Sequence, residues 1–327
     1  NNIAAEGYFK KTMDGVMEIY INGLLSSPRT QFRNNFGNAF VQAFKIPEMG
    51  MAATWNAAEG AVKYVGKQIP FTQNKNYFNT PTEGVTFEQV YARMYSYQHS
   101  AISAFKNASI AVRNGPDVDK LEISQFQKNT ISAKTFGYDE NSAIGYGIDT
   151  MGKLIRLPGT ALVWGDEFFK TMAKTAEQAD IAMQKAQQYK RQGFSDDEIA
   201  EKVTNDIYLD KGTIKTIDDA KKASVFQDDL GPSISKVQKV LNDTYVGRVI
   251  VPFFRTPINI FKMVYDRSYG GVVKGVKVGA DVLLSPFIDE PYFEYTKRFK
   301  NDAQFRTAEM GKYSMSCLLY TSDAADE

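Results

Sequence analysis

The chain has 327 residues, enough to bury a substantial hydrophobic core in one or two domains. Its 39 Lys and Arg residues balance 38 Asp and Glu residues, so the net charge excludes a general electrostatic attraction to nucleic acid. The 13% aromatic content is typical of a packed fold and not of a disordered tail.

The single histidine and single cysteine, His99 and Cys317, limit the chemistry. A zinc site needs about four ligands within reach, and a disulfide framework needs paired cysteines. We therefore expect no metal, no cofactor and no disulfide, and we interpret His99 as a surface or packing residue.

Both ends of the sequence suggest a fragment. Asn1-Asn2 has no initiating Met and no signal-peptide pattern, so we expect the true start to be missing. The segment Cys317-Leu-Leu-Tyr-Thr-Ser322 is what TGT CTC TTA TAC ACA TCT encodes, a string that resembles a transposon end used as a sequencing adapter. We therefore expect residues 316–327 to be an artefactual tail, and the natural protein to continue past Met315.

The N-terminal third has the periodicity of helices. Apolar residues recur at helical spacing over 5–24, and Ser27-Pro28 supplies an N-cap and a proline preset for a first helical turn. The pattern predicts a helix from Pro28 to about residue 44, ended by Pro47, and a third helix over 48–67. The second helix carries an aromatic ridge formed by Phe32, Phe36, Phe40 and Phe44.

The middle of the chain is less uniform. Residues 69–84 are rich in Pro, Asn and Gly and predict a loop, whereas 86–113 predicts one long helix. Residues 117–147 are the least regular and predict short helices and loops. Period-two alternation is scarce throughout, so we expect no sheet of consequence.

The clearest helical pattern runs from Gly159 to Gln192, where small and apolar residues recur at steps of three and four, and Arg156-Leu157-Pro158 before it predicts a helix start at this point. Its row of alanines predicts close packing against an antiparallel neighbour. Gly193 predicts a C-cap, and Ser195–Glu198 predicts a capping box for the next helix. Thr216–Asp219 has a similar pattern and predicts another helix start.

Further helices are predicted on both sides of Gly231-Pro232-Ser233, over 220–230 and over 234–241. Thr256-Pro257 repeats the arrangement of Ser27-Pro28 and predicts a helix start. The stretch Val272–Ile288 is mostly apolar, but Lys274, Lys277 and Asp281 make it too polar to span a membrane. It is therefore interpreted as a membrane-surface helix or a packed, oligomer-facing helix.

Together these patterns predict an all-α protein, an elongated multi-helix array of antiparallel helices with little or no sheet. We divide it into an N-terminal helical region (1–115), an irregular connector (116–155), a C-terminal helical region (156–315) and the tail (316–327).

No catalytic motif emerges. Asp166 and Glu167 are adjacent, so on a helix they point about 100° apart and cannot act together as acid and base. We expect them to be first-turn carboxylates stabilised by the helix dipole, or partners of Arg156 or Arg255. Gly145-Tyr146-Gly147 lacks the third glycine and the lysine of a phosphate-binding loop. We therefore expect no enzymatic activity in this chain.

Three segments in order carry a family resemblance: Asn22–Thr30 with Asn34, Asn35 and Asn38 after it, Arg156–Lys170, and Pro252–Ile260. They resemble segments of the large, helix-rich internal virion and polyvalent proteins of tailed phages. The resemblance implies a particle component of internal core or DNA-ejection type, assembled in the host cytoplasm. It also implies portal proteins, core proteins and further copies as partners. The signature residues it marks as structural are Pro28, Arg156, Pro158, Asp166, Phe168, Phe169, Lys170, Arg255, Thr256 and Pro257.

Two alternatives remain open. One is a membrane-active ejection module, in which Val272–Ile288 and the aromatic ridge insert into the host envelope. The other is a muralytic enzyme. No specific nucleic-acid site is evident in the sequence.

Overall fold

A computed structural model describes residues 2–79, 82–114, 130–244, 255–267 and 293–325, with the single positions 247, 270, 273, 274 and 277. All regular structure in these ranges is helical, which confirms the all-α fold. The helices are α1 (Asn2–Leu25), α2 (Pro28–Gln68), α3 (Asn76–Asn79), α4 (Phe87–Asn114), α5 (Ala133–Phe136), α6 (Ala143–Arg191), α7 (Asp196–Leu209), α8 (Lys211–Ala223), α9 (Pro232–Asp243), α10 (Arg255–Arg267), α11 (Glu294–Asn301) and α12 (Ala303–Ala325).

The chain divides into two compact units, each made of three segments. Unit 1 comprises 1–40, 99–173 and 219–259; unit 2 comprises 41–98, 174–218 and 260–327. Helices α2, α4, α6, α8 and α10 contribute residues to both units.

Each unit has its own apolar core. In unit 1, Met17, Ile21 and Leu25 of α1 are buried against Leu162 and Val163 of α6. The unit 2 core contains Met49 and Ala52 of α2 and Val85, with Val90 of α4 and Ala308 of α12 packed against it. Gly311 lets α12 approach α2 closely, since a Cβ there would lie 2.3 Å from the Glu48 carbonyl oxygen. These contacts place apolar residues of the helical pattern at the centre of each unit.

Several helix ends follow the predictions. Pro28 is the first residue of α2, and Gly193 has a φ of 87°, the left-handed conformation of a C-cap. Ser195 and Glu198 form the predicted capping box at the start of α7. The Ser195 N–H donates to Glu198 Oε2 at 2.9 Å, and the Glu198 N–H donates to Ser195 Oγ at 3.4 Å.

The predicted helix end at Pro47 is wrong, because α2 continues through it to Gln68. A proline removes one backbone hydrogen bond inside a helix and clashes with the carbonyl four residues earlier. Here the helix is held on both sides of the proline by buried residues: Gln42 before it, and Glu48, Met49, Ala52 and Ala53 after it. Packing of this face therefore outweighs the local penalty.

The predicted helix starts at Gly159 and Thr216 are also wrong. Helix α6 begins at Ala143 and passes through Pro158. Helix α8 begins at Lys211, where Asp210 Oδ2 accepts the Thr213 N–H at 2.7 Å, so the capping acid precedes Thr216 by six residues. Thr216 instead donates its hydroxyl to the Gly212 carbonyl within the helix. Helix α8 ends at Ala223, so the helix predicted over 220–230 is not formed, whereas α9 matches the one predicted over 234–241.

Candidate functional site

The second signature segment meets the first, and residues that flank the first, in the core of unit 1. Arg156 Nη1 donates to Glu18 Oε1 at 2.8 Å, and the Glu18 side chain is almost completely buried. Glu18 Oε2 also accepts the backbone N–H groups of Thr130 and Ile131, each at 3.0 Å. One carboxylate therefore ties α1 to α6 and to the segment that precedes α5.

Two amide side chains surround Pro158 inside α6. Asn22 Oδ1 accepts the Gly159 N–H at 3.2 Å while its Nδ2 donates to the Glu18 carbonyl at 2.9 Å. Gln31 Nε2 donates to the Pro158 carbonyl at 3.0 Å and to the Leu25 carbonyl at 2.9 Å. A proline leaves backbone groups of a helix interior without their usual partners. Asn22 bonds the N–H that directly follows the proline and Gln31 bonds the proline's own carbonyl, so contacts with α1 and α2 hold the α6 backbone at Pro158.

Asp166 is buried near the middle of α6, so the expectation that Asp166 and Glu167 are first-turn carboxylates is wrong. Gln227 Nε2 donates to Asp166 Oδ2 at 2.9 Å, and Asn38 Nδ2 donates to Asp166 Oδ1 at 3.3 Å. Glu167 lies 3.7 Å from Lys170 Nζ on the same helix. Arg156 pairs with Glu18 and not with either acid. Asp166 thus connects α2, α6 and the segment after α8.

The aromatic pair of the second signature belongs to a packed row on α6. The rings of Phe168 and Trp164 stack with centroids 5.4 Å apart, and Phe168 meets Phe169 edge to face at 5.2 Å. Trp164 also meets Phe105 of α4 edge to face at 5.4 Å. Such contacts add to the free energy gained by burial and fix the rotation of α6 against α4 within unit 1.

The third signature is described only from Arg255 onward; its residues 252–254 lie outside the described residues. Arg255 Nη1 lies 3.9 Å from Asp229, and Thr256 and Pro257 follow in the first described turn of α10. Asn259 is buried, and its Nδ2 donates to the carbonyl groups of Phe226 and Asp228, each at 2.9 Å. Phe226 has a φ of 55°, a strained conformation for a residue with a side chain. Asn259 holds this strained turn in place.

Unit 2 contains a compact network of charges. Lys274 contacts Asp266 and donates to Glu309 at 3.0 Å, while Lys312 donates to Asp266 at 2.9 Å and to Glu309 at 2.6 Å. The hydroxyls of two tyrosines also donate to Glu309, at 3.1 and 2.9 Å; these are Tyr295 and Tyr313. Burial acts to raise the pKa of Glu309, yet Lys312 and Lys274 hold that pKa below its ordinary value of 4.5. The two lysines and the two carboxylates of this network therefore neutralise one another.

Further buried ion pairs in unit 2 have the same character. Arg93 of α4 contacts Glu177 and lies 3.0 Å from Asp180, both on α6. Arg267 donates to both carboxylate oxygens of Glu48, at 2.6 and 3.2 Å. Each cation faces a carboxylate from a different helix, an arrangement that orients helices.

None of these clusters has the form of a ligand site. A small open pocket of unit 2 is lined by polar groups of α6 and α12, among them Gln184, Gln188, Arg191 and Gln304. Within the described ranges, no group of three or more His, Cys, Asp or Glu residues could hold a metal ion, and no helix is long and apolar enough to cross a membrane. His99 is exposed on α4.

Three of the four rings of the aromatic ridge are exposed, whereas Phe44 is half-buried. Phe32, Phe36 and Phe40 have exposed fractions of 67%, 57% and 47%, and their rings stack with centroids 5.6 and 6.2 Å apart. Further large apolar side chains are exposed on α4, α6 and α10, among them Tyr91, Ile102, Ile144, Leu154 and Phe261. The segment Val272–Ile288 lies almost entirely outside the described residues.

Sequence reasoning missed the polar residues that organise these contacts. Glu18, Asn22, Gln31, Gln227 and Asn259 were not singled out, although Asn22 and Asn259 lie within the first and third signatures. Their signal in the sequence is a polar residue on the apolar face of a helix, which identifies a buried polar group but not its distant partner.

No protein-family model, curated protein or solved structure matches this chain.

Proposed function

We propose that this chain is a non-catalytic helical scaffold of a tailed-phage particle, of internal core or DNA-ejection type. It assembles in the host cytoplasm with portal proteins, core proteins and further copies of itself. The proposal starts from the three ordered sequence segments that resemble internal virion proteins.

One observation carries the scaffold role: the first two signatures, more than 120 residues apart, are bonded to each other in the core of unit 1. The bond that joins them runs from the Gly159 N–H to Asn22 Oδ1, and Glu18 and Gln31, which flank the first signature, bind Arg156 and the Pro158 carbonyl. The second and third signatures also supply buried bonds, through Asp166 and Asn259. Residues engaged in this way fix helix positions and are not directed toward a substrate.

The exposed apolar side chains support the assembly role. Contiguous apolar patches on a protein surface are typical of interaction sites. Here the stacked ring surfaces of Phe32, Phe36 and Phe40 face outward along one side of α2. An assembling protein would cover such a ridge with another chain.

The proposal is tested with the genes that neighbour this one on its source sequence. We expect portal, capsid or tail genes there, and we expect the chain to co-sediment with particles formed when those genes are co-expressed. Housekeeping neighbours, together with a chain that never enters the particles, would overturn it.

The same ridge favours a second candidate, the membrane-active ejection module, because exposed aromatic residues on an amphipathic helix are typical of membrane-surface binding. The muralytic alternative is tested by peptidoglycan turnover with the purified chain. Turnover that disappears in Glu167→Gln would establish it.

A further inference from the structure

Helices α2 and α7 present exposed stripes with the same spacing. On α2 the stripe is Arg29, Arg33, Phe36 and Phe40, and on α7 it is Asp197, Glu201, Thr204 and Tyr208; all eight residues are exposed. Steps of four, three and four residues place each set on one face of its helix. The opposite faces are buried, through Asn38 on α2 and Ile199 on α7.

The charges on the two stripes are complementary. Within the described ranges, Arg29 and Arg33 are not in ion pairs with any acid, and Asp197 and Glu201 are not in ion pairs with any base. Arg29 lies in the first turn of α2, where the positive end of the helix dipole disfavours a cation, and that turn contains no acid to compensate. The position of Arg29 is therefore unfavourable within the fold and becomes favourable beside an external acidic surface.

We infer that α2 of one copy docks in parallel on α7 of a second copy. In this register, Arg29 and Arg33 face the partner's Asp197 and the partner's Glu201, and the Phe36 and Phe40 rings cover the partner's Thr204 and the partner's Tyr208. The stacking of Phe32, Phe36 and Phe40 holds the α2 rings in one row before docking. The inference rests on the proposed scaffold function and names its self-assembly surface.

The two stripes differ, so the interface is heterologous. Each copy that docks through α2 still offers its own α7 stripe, and each added copy does the same. Association therefore continues beyond a dimer, to a ring or a filament. Because opposite charges meet at the rim of this contact, added salt weakens the association.

The inference is tested by charge reversal in the full chain. One variant carries Arg29→Glu and Arg33→Glu, a second carries Asp197→Arg and Glu201→Arg, and a third carries all four changes. The control matched to the first variant, Lys106→Glu with Lys239→Glu, makes the same change in net charge as that variant, at exposed helical positions outside both stripes. Far-UV circular dichroism establishes that each variant is folded.

Sedimentation velocity over a concentration series measures the association. We expect each two-residue variant to associate at least about tenfold more weakly than wild type, since two opposed charge pairs become repulsive. The four-residue variant restores wild-type association, and the control leaves it unchanged. A further variant, Phe36→Ser with Phe40→Ser, weakens association without altering its salt dependence.

Unchanged association in both two-residue variants would overturn the inference while leaving the scaffold function in place. A monomeric wild-type chain that still enters particles would do the same. Loss of anionic-vesicle binding in the arginine variant, without any self-association in wild type, would assign the α2 stripe to a membrane and would also overturn the inference.

Discussion

At the scale of single residues, unit 1 depends on a carboxylate that has no access to solvent. Glu18 lies between Arg156 and the two backbone N–H groups of Thr130 and Ile131. Desolvating both charges costs free energy, so such a pair contributes little to stability when intact, yet removing one partner leaves an uncompensated charge. Its role is to define the position of α6 relative to α1.

We expect Arg156→Met to lower the free energy of unfolding of unit 1 by about 3 kcal/mol, because Glu18 then remains buried without its cation. Adding Glu18→Gln removes the uncompensated charge and is expected to recover most of this loss. Urea unfolding followed by Trp164 fluorescence in a Trp55→Phe background measures it, since Trp164 lies in unit 1 and Trp55 in unit 2. A loss of equal size in the double variant would contradict the role of the pair.

The charge network around Glu309 predicts how unit 2 responds to pH. The pKa values of Asp266 and Glu309 lie below their ordinary 3.8 and 4.5, through Lys274 and Lys312 acting against the effect of burial. A carboxylate whose pKa is depressed in the folded chain stabilises the fold when the pH lies above the pKa of that group in the unfolded chain. This contribution is lost as the pH falls through the pKa of the group in the folded chain. Although burial opposes it, Asp266 and Glu309 raise the pKa of Lys274 above 10.5, so the Lys274 contribution is lost only as the pH rises through that higher value. Unit 2 should therefore be most stable between these limits.

Glu309→Gln tests this expectation. At about pH 7 we expect it to lower the free energy of unfolding by about 3 kcal/mol, because Lys274 and Lys312 lose a buried partner. The difference from wild type should shrink as the pH falls below 4.5, where Glu309 becomes protonated in the unfolded chain and then in the folded chain. Urea unfolding followed by Trp55 fluorescence in a Trp164→Phe background gives the free energies of unfolding of wild type and variant at each pH. A difference that is constant with pH would exclude the ionised network as its source.

At the scale of helices, much of the fold could be predicted from periodicity and capping. Helices α1 and α4 closely follow the apolar pattern, and α7 begins at the predicted Ser195–Glu198 capping box, just after the Gly193 turn. These features could be predicted because their signals are local in the sequence. The helix end predicted at Pro47 and the helix start predicted at Gly159 are wrong, because the effect of a proline on its own helix does not include the tertiary contacts that stabilise the helix on both sides of it. The contacts of Asn22 and Gln31 with the Pro158 region join residues more than 120 positions apart, and no local pattern reports them.

The two internal prolines predict opposite effects of substitution. Pro47 is exposed, so Pro47→Ala restores a helical hydrogen bond and is expected to raise the free energy of unfolding by about 1 kcal/mol. Pro158 lies where Asn22 and Gln31 bond the α6 backbone. Because a proline inside a helix displaces the neighbouring backbone, Pro158→Ala moves the groups that these two side chains bind. We expect it to destabilise the protein by about 1 kcal/mol. Urea titration followed by far-UV circular dichroism measures the free energy of unfolding of both variants. Changes of the same sign and size in the two variants would contradict the predicted difference between Pro47 and Pro158.

At the scale of the whole molecule, the exposed aromatic ridge separates assembly from membrane insertion. An inserting helix gains free energy by moving Phe32, Phe36 and Phe40 into lipid, whereas an assembling helix covers them with protein. In vesicle flotation we expect the chain to stay unbound at neutral and at anionic lipid compositions, with no leakage of vesicle contents. Changing the three phenylalanines to serine should weaken self-association and leave flotation unaltered, while Ile102→Ser, an apolar-to-serine change at an exposed position of α4, serves as the control. Flotation that depends on the three rings would instead favour the ejection module, because lipid would then replace a second protein chain as the surface that covers α2.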